Sequence, residues 1–258
     1  RLRSRGLGDV YKRQSMHHMQ NENMFTYSPY FMSPVKGYAV YWDNYSISEF
    51  MDTPQELAFQ SLGHCADYYF MYGGNADGII AQVRDLTGHS PMLPLWAYGF
   101  FQSKERYHTQ EESLNVLKKY RELQIPIDCM IQDWRYWPEY QKTDSAWNSH
   151  SFDPERFPNP KKWADEIHKL NAKLMIVAWP GFDTHTEQRK ELDAKGMIIN
   201  FDTWPPQSGA RPYDVYNPEA RDIYWKYLNK GIFSYIGNDG WWLDSTAVSY
   251  THLRAHET

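Results

Sequence analysis

Two carboxylates and a group of indoles are the side chains here whose type and placement suit chemistry. Asp244 closes the run Gly240-Trp-Trp-Leu-Asp, and Asp133 closes Ile127-Asp-Cys-Met-Ile-Gln-Asp, so each acid ends a short apolar stretch. Such a stretch, bounded by turn residues, reads as a buried parallel strand. An acid at its C-terminal end lies where barrel enzymes keep their reacting groups. Trp134, Trp179 and Trp242 lie beside these acids or at comparable strand ends, and Phe101 and Lys104 end the first run of the same kind. Flat rings with one polar edge are platforms for the apolar faces of sugars, and a carboxylate accepts strong hydrogen bonds from hydroxyls.

Each of these residues also has a plainer reading. A strand-end aspartate caps a helix or a loop. Tryptophans fill cores, and Lys104, with Arg106 and Tyr107, reads equally as an exposed loop group. Retaining hydrolysis of a glycoside needs two carboxyl groups about 5 Å apart. Asp133 and Asp244 end strands that are not adjacent, so they are expected to lie farther apart than that. Asp244 can be the nucleophile of such a pair, and Asp133 is therefore read as a holder of sugar hydroxyls.

Several other chemistries lack their residues. The histidines His17, His18, His64, His108, His150 and His185 show no helical i, i+4 pair and no accompanying cysteine pair, so neither a metal nor another cofactor is expected. No Gly-x-Ser-x-Gly elbow is present, and no glycine-rich phosphate turn follows the first strand of the alternating region. His168, inside an amphipathic stretch, is read as a surface residue. Cys65 and Cys129 read as buried free thiols.

The elements that must carry these groups fall into two patterns. From about Asn23 to Gly88 the runs Phe25–Met32, Gly37–Trp42 and Asp67–Gly73 are aromatic and β-branched, separated by Pro, Gly, Asn and Asp. They predict the end of a β-sandwich. A helix follows over 75–88, capped by Asn75, with Ile79, Ile80, Val83 and Leu86 as its apolar stripe and Gly88 as its stop. The segment Pro91-Met-Leu-Pro94 marks a boundary.

Beyond it, strands and helices alternate. Strands are predicted over 95–101, 127–133, 173–180 and 240–244, with helices over 111–123, 160–170, 187–195 and 218–232. Alternation with continuous apolar strands implies a parallel α/β sheet, either doubly wound or a (β/α)8 TIM barrel. Polar and aromatic residues gathered after each strand favour the barrel, of which four units make half. The domain reading is 15–90 for the sandwich end with its linker helix and 91–246 for the first half of the barrel. The flanks 1–14 and 247–258 are out of character with the rest and read as non-native sequence.

Composition agrees with a carbohydrate partner and disfavours others. Aromatics make up 17%, with 11 Trp and 20 Tyr, more than a core ordinarily consumes. A net charge of -5 offers no basic stripe for nucleic acid. No apolar run is long enough to span a membrane. Oligomeric state and localisation stay open among periplasmic, secreted and cytoplasmic.

Several ordered motifs together resemble glycoside hydrolase family 31. Pro94-Leu-Trp-Ala-Tyr-Gly-Phe-Phe-Gln-Ser-Lys-Glu-Arg-Tyr is similar to its first barrel strand and loop, and Ile125-Pro-Ile-Asp-Cys-Met-Ile-Gln-Asp-Trp-Arg-Tyr-Trp to its second. Phe152-Asp-Pro-Glu-Arg-Phe-Pro-Asn-Pro resembles the connection after that, and Gly240-Trp-Trp-Leu-Asp-Ser-Thr the fourth strand with the nucleophile. The resemblance implies a retaining α-glycosidase in which Asp244 forms a covalent glycosyl-enzyme, Asp133 binds hydroxyls of the sugar under attack, and Trp179 lines a subsite. It implies xyloglucan-type α-xylosides over α-glucosides as substrates. Ala247-Val248 departs from the family's pattern after the nucleophile, and the general acid/base is expected on a later strand, so the chain alone is expected to be inactive.

Overall fold

A computed structural model describes residues 29–44, 48–62, 65–138, 146–200 and 208–244. They divide into two compact units, one ending at Met92 and the other beginning at Leu93.

The first unit is antiparallel. Strands β1 (Tyr30–Ser33), β2 (Tyr38–Trp42) and β5 (Tyr68–Tyr72) pair in the order β1-β2-β5. Gly37 turns the chain between β1 and β2 with φ 72°, and a Cβ there would fall 2.6 Å from the Gly74 backbone, so both the angle and the approach require glycine. A second hairpin, β3 (Ser48–Asp52) with β4 (Leu57–Ser61), lies in a stretch where no strand was predicted. In it Glu49 and Gln60 pair on exposed positions, Phe50 packs on Phe59 at 4.7 Å and Asp52 is half-buried. Helix α1 (Ala76–Thr87) begins as expected, the Asn75 side chain accepting from Gly78 N at 2.9 Å. Its stripe is narrower than expected: Ile79 is buried and Val83 packs beside it, whereas Ile80 and Leu86 are exposed. Phe25–Ser28, the beginning of the first predicted strand, lies outside the described residues, as do both flanks.

The second unit carries a parallel sheet in the order β11-β8-β7-β6, from β6 (Phe101–Gln102), β7 (Cys129–Gln132), β8 (Lys173–Ala178) and β11 (Gly240–Leu243). Between them run α2 (Gln110–Glu122), α3 (Pro160–Lys169), α4 (Glu187–Ala194), α5 (Pro218–Leu228) and the short α6 (Ser234–Ile236). A small antiparallel pair, β9 (Gly181–Phe182) with β10 (Arg211–Pro212), extends the loop after β8. Each of the five longer helices opens on an Asn or Thr whose side chain accepts a first-turn N–H; α3 and α5 add a proline in that turn.

The predicted first strand over 95–101 is corrected. Leu95–Tyr98 is a 3-10 turn, with Leu95 on the surface, and only Phe101 and Gln102 pair with β7. Pro94 opens the turn, Trp96 stacks on Phe101 at 5.8 Å, and the Asp128 carboxylate takes Phe100 N at 2.9 Å, so local bonds replace ladder bonds. The long helix predicted to Ile232 stays α-helical to Leu228 and widens to a π turn over Asn229–Phe233.

Two further expectations change. His168 is half-buried and bonded through Nε2 to Asp239 Oδ2 at 2.7 Å, because the start of β11 lies beside the end of α3. Cys129 is buried, its thiol pushed up to about 12 first by burial, but Cys65 is exposed in the connection before β5. The core of this unit joins Leu174, Ile176 and Met130 of the sheet to Leu117, Trp163 and Ile167 of the helices.

Candidate active site

Side chains on a strand alternate between faces, so register decides which strand-end groups meet. Ile131 lies opposite Met175, and Met175 opposite Gly240. Counting by twos along β11 places Trp242, and after it Asp244, on the face that carries Ile131 and Met175; Asp133 and Trp179 follow directly on the ends of β7 and β8. Phe101, opposite Cys129, shares that face. The ladder runs one residue past β11, with Asp244 N donating to Ala178 O at 3.2 Å.

Gly240 makes room for this arrangement. A Cβ there would sit 3.0 Å from Met175 Cγ, so any larger residue would need the Met175 side chain to give by a few tenths of an ångström.

Asp133 and Asp244 interact although β8 separates their strands. The Asp133 carboxyl is raised to about 6, first by burial and then by the nearby charges of Asp244 and Glu105. The N–H of Trp134, donating to Asp133 Oδ1 at 2.7 Å, opposes that rise without cancelling it. A desolvated carboxyl beside a second carboxylate resists losing its proton, and unlike environments are how two acids acquire two roles.

The indoles form a connected wall. Trp134 has Arg106 and Arg135 over its ring, at 5.2 and 4.9 Å, and leans on Trp147 at 5.5 Å. Trp147 in turn meets Trp137 and Trp179 edge to face, at 5.1 and 5.2 Å. Trp179 is almost fully buried, whereas Trp242 shows 41% of its surface. Of the predicted aromatics, Trp242 thus offers most surface, and Phe101 is half-buried under Trp96.

Lys104 does not join this group. Its ammonium pairs with Glu112 Oε1 at 2.6 Å in the first turn of α2, a bond that also draws the Glu112 carboxyl below its usual range. An acid in the first turn of a helix is a favourable partner for the Lys104 ammonium, and the expectation that Lys104 meets sugar hydroxyls is tested by substitution below.

Two residues that carry little signal in the sequence hold this wall in place. Asn148, fully buried with φ 60°, donates through Nδ2 to Trp179 O at 2.5 Å and Gly181 O at 3.2 Å, and accepts from Trp179 N at 3.1 Å. One side-chain amide thus satisfies the backbone of Trp179 on both sides. Asp183, also buried, accepts from Ala146 N at 3.1 Å and His185 N at 2.8 Å. Trp147 and Asn148 sit in a long loop without periodicity; an aromatic next to an asparagine there was the one visible signal.

Comparisons with known proteins identify the chain's relatives. The model of the glycosyl hydrolases family 31 TIM-barrel domain matches residues 90–257. An α-xylosidase of Saccharolobus solfataricus is 41% identical over 217 residues, which are 84% of this chain and 28% of that protein. α-Glucosidase 2 of Bacillus thermoamyloliquefaciens is 28% identical over 93% of this chain and 31% of its own length. Among solved structures, the family 31 α-xylosidase of Xanthomonas citri superposes with a TM-score of 0.65 at 38% identity, covering 72% of this chain and 20% of that one. A family 31 α-xylosidase from a soil metagenome, solved with xylose, gives 0.73 at 28% identity over 85% of this chain and 32% of its own. The chain spans less than a third of each of these relatives. It belongs to glycoside hydrolase family 31.

Proposed function

We propose that this chain is part of a retaining, exo-acting α-glycoside hydrolase for α-xylosides of the xyloglucan type. Asp244 attacks the anomeric carbon and forms a covalent glycosyl-enzyme, while Asp133 holds hydroxyls of the same sugar. The observation that carries this reading is that Asp133, Trp179 and Asp244 follow directly on the ends of three neighbouring parallel strands, beside Trp242, with Asp244 near enough for its charge to raise the Asp133 carboxyl. The sheet β11-β8-β7-β6 would then be the first half of a (β/α)8 barrel preceded by the end of a β-sandwich. The family resemblance puts the proton donor on a later strand, so hydrolysis by the 258-residue chain itself is not expected.

Xylose over glucose rests on the α-xylosidase at 41% identity. An α-glucosidase is the second reading, favoured by the match to α-glucosidase 2 over 93% of the chain. Steric exclusion of a hydroxymethyl group separates the two substrates.

The test is covalent trapping with 5-fluoro-α-xylosyl and 5-fluoro-α-glucosyl fluorides on the gene extended to the length of its relatives. Label on the peptide containing Asp244, formed faster with the xylosyl reagent, is the expected result. Label on Asp133, or none on Asp244, would end the assignment.

A further inference from the structure

The turn that presents Asp133 and Trp134 is costly in backbone terms. Arg135 has φ 60°, the left-handed region that side chains other than Gly, Asn and Asp rarely adopt. Such a residue persists only where its surroundings over-determine it.

The constraint comes from one short segment. Three successive carbonyls, those of residues 135, 136 and 137, are all taken by residues 153–156. Arg156 Nη1 donates to Arg135 O at 2.7 Å and Nη2 to Trp137 O at 2.6 Å, while Asp153 N donates to Tyr136 O at 2.8 Å. Asp153 Oδ1 then accepts from the N–H groups of Glu155 and Arg156, both at 2.9 Å, which fixes the backbone that carries the guanidinium. Tyr136, between the two bridged carbonyls, is fully buried and donates to Val177 O of β8 at 3.0 Å. The turn is thereby tied to the strand lying between those of the two acids.

We propose that Arg156 is a positioning residue: by bridging the carbonyls of Arg135 and Trp137, its guanidinium holds the left-handed turn that sets Asp133 and Trp134 at the sheet end shared with Asp244. Only a planar fork spans two acceptors in this way; a lysine ammonium in its place is a single point charge. The proposal deepens the reading of Asp133 given above and rests on it.

The test is a pH titration of the 258-residue chain by NMR, following the Asp133 carboxyl carbon and the Trp134 amide. In the unsubstituted chain the amide is expected to titrate with the carboxyl, since Trp134 N–H donates to Asp133 Oδ1 at 2.7 Å. In Arg156→Lys the carboxyl gains water, its midpoint falls by about one pH unit toward the ordinary range, and the Trp134 step disappears. Adding Arg135→Asn, which accepts the left-handed angle at less cost, is expected to restore part of that step. It also provides the measurement if Arg156→Lys alone does not fold.

Arg156→Lys with an unchanged midpoint and an intact Trp134 step, whatever its melting temperature, would show a purely structural arginine and overturn the proposal. So would a double variant without any restored step. Sugar affinity enters neither readout. An Asp133→Asn enzyme of full length that bound sugar normally would remove the hydroxyl-holding role and leave the Arg156 result standing.

Discussion

The two ends of the parallel sheet hold similar groups under opposite electrostatic conditions. At the C-terminal end, Asp133 is half-buried, faces Asp244 and Glu105, and has its carboxyl raised to about 6. At the N-terminal end, Asp239 is also partly buried, and burial alone would raise it. Lys173 Nζ at 2.9 Å, Leu174 N at 3.0 Å and His168 Nε2 at 2.7 Å together outweigh burial and hold it below the ordinary range. Arg121 strengthens that same end, donating to the carbonyls of Ile127, Leu170 and Asn171 at 2.8 to 2.9 Å. One end satisfies its charge and the other concentrates it. Barrel enzymes in general keep their chemistry at the C-terminal end of the sheet and their stabilising contacts at the other.

The contrast can be broken at either end. The largest expected effect lies in the wall behind the acids. Trp147→Ala deletes a fully buried ring that joins Trp134, Trp137 and Trp179, and is expected to cost about 3–5 kcal/mol in denaturant unfolding. Next, Asp239→Asn leaves Lys173 and His168 without their anion and is expected to cost about 2–3 kcal/mol near neutral pH. Its sign with pH follows from a depressed carboxyl: the stabilisation is present above the ordinary carboxylate range and is lost as pH falls through the lower folded value. The cost of the substitution therefore shrinks on acidification.

Asp133→Asn is expected to act in the opposite sense. A raised carboxyl prefers its proton in the folded state, so its ionised form destabilises the fold above about pH 6. The substitution should raise the melting temperature by a few degrees at pH 7.5, and the gain should disappear below about pH 4, where both states are protonated. A loss of stability at pH 7.5 would remove the contrast between the two ends. The smallest effect is expected at Lys104→Ala, which breaks a half-exposed ion pair with Glu112 and should change stability by less than about 1 kcal/mol. The same variant should leave sugar affinity in the full-length enzyme unchanged, where a role as sugar ligand would lower it.

Much of the second unit is legible in the sequence. Apolar runs of four to six residues ending in Asp133, Trp179-Pro180 and Asp244 mark the strands, and Thr109, Asn159-Pro160, Thr186 and Asn217-Pro218 mark helix starts, because both signals are local. The turn at Leu95–Tyr98 was not legible, since its apolar residues look like a strand until the Asp128 carboxylate is seen to hold the chain after it. The β3–β4 hairpin was missed for a related reason: its pairing partners, not its alternation, define it.

By itself the sequence determined which residue types stand at the strand ends, the order of strands and helices, and, through its ordered motifs, the family. Tertiary structure alone decided that Asp133 and Asp244 influence each other across β8, that Lys104 belongs to Glu112, and that Asn148 and Arg156 hold the loops around the acids. The physical reason is range. Strand propensity and helix caps act over a few neighbouring residues, whereas the charge on a carboxyl and the partner of a guanidinium depend on groups far away in the chain that only packing brings within a few ångströms.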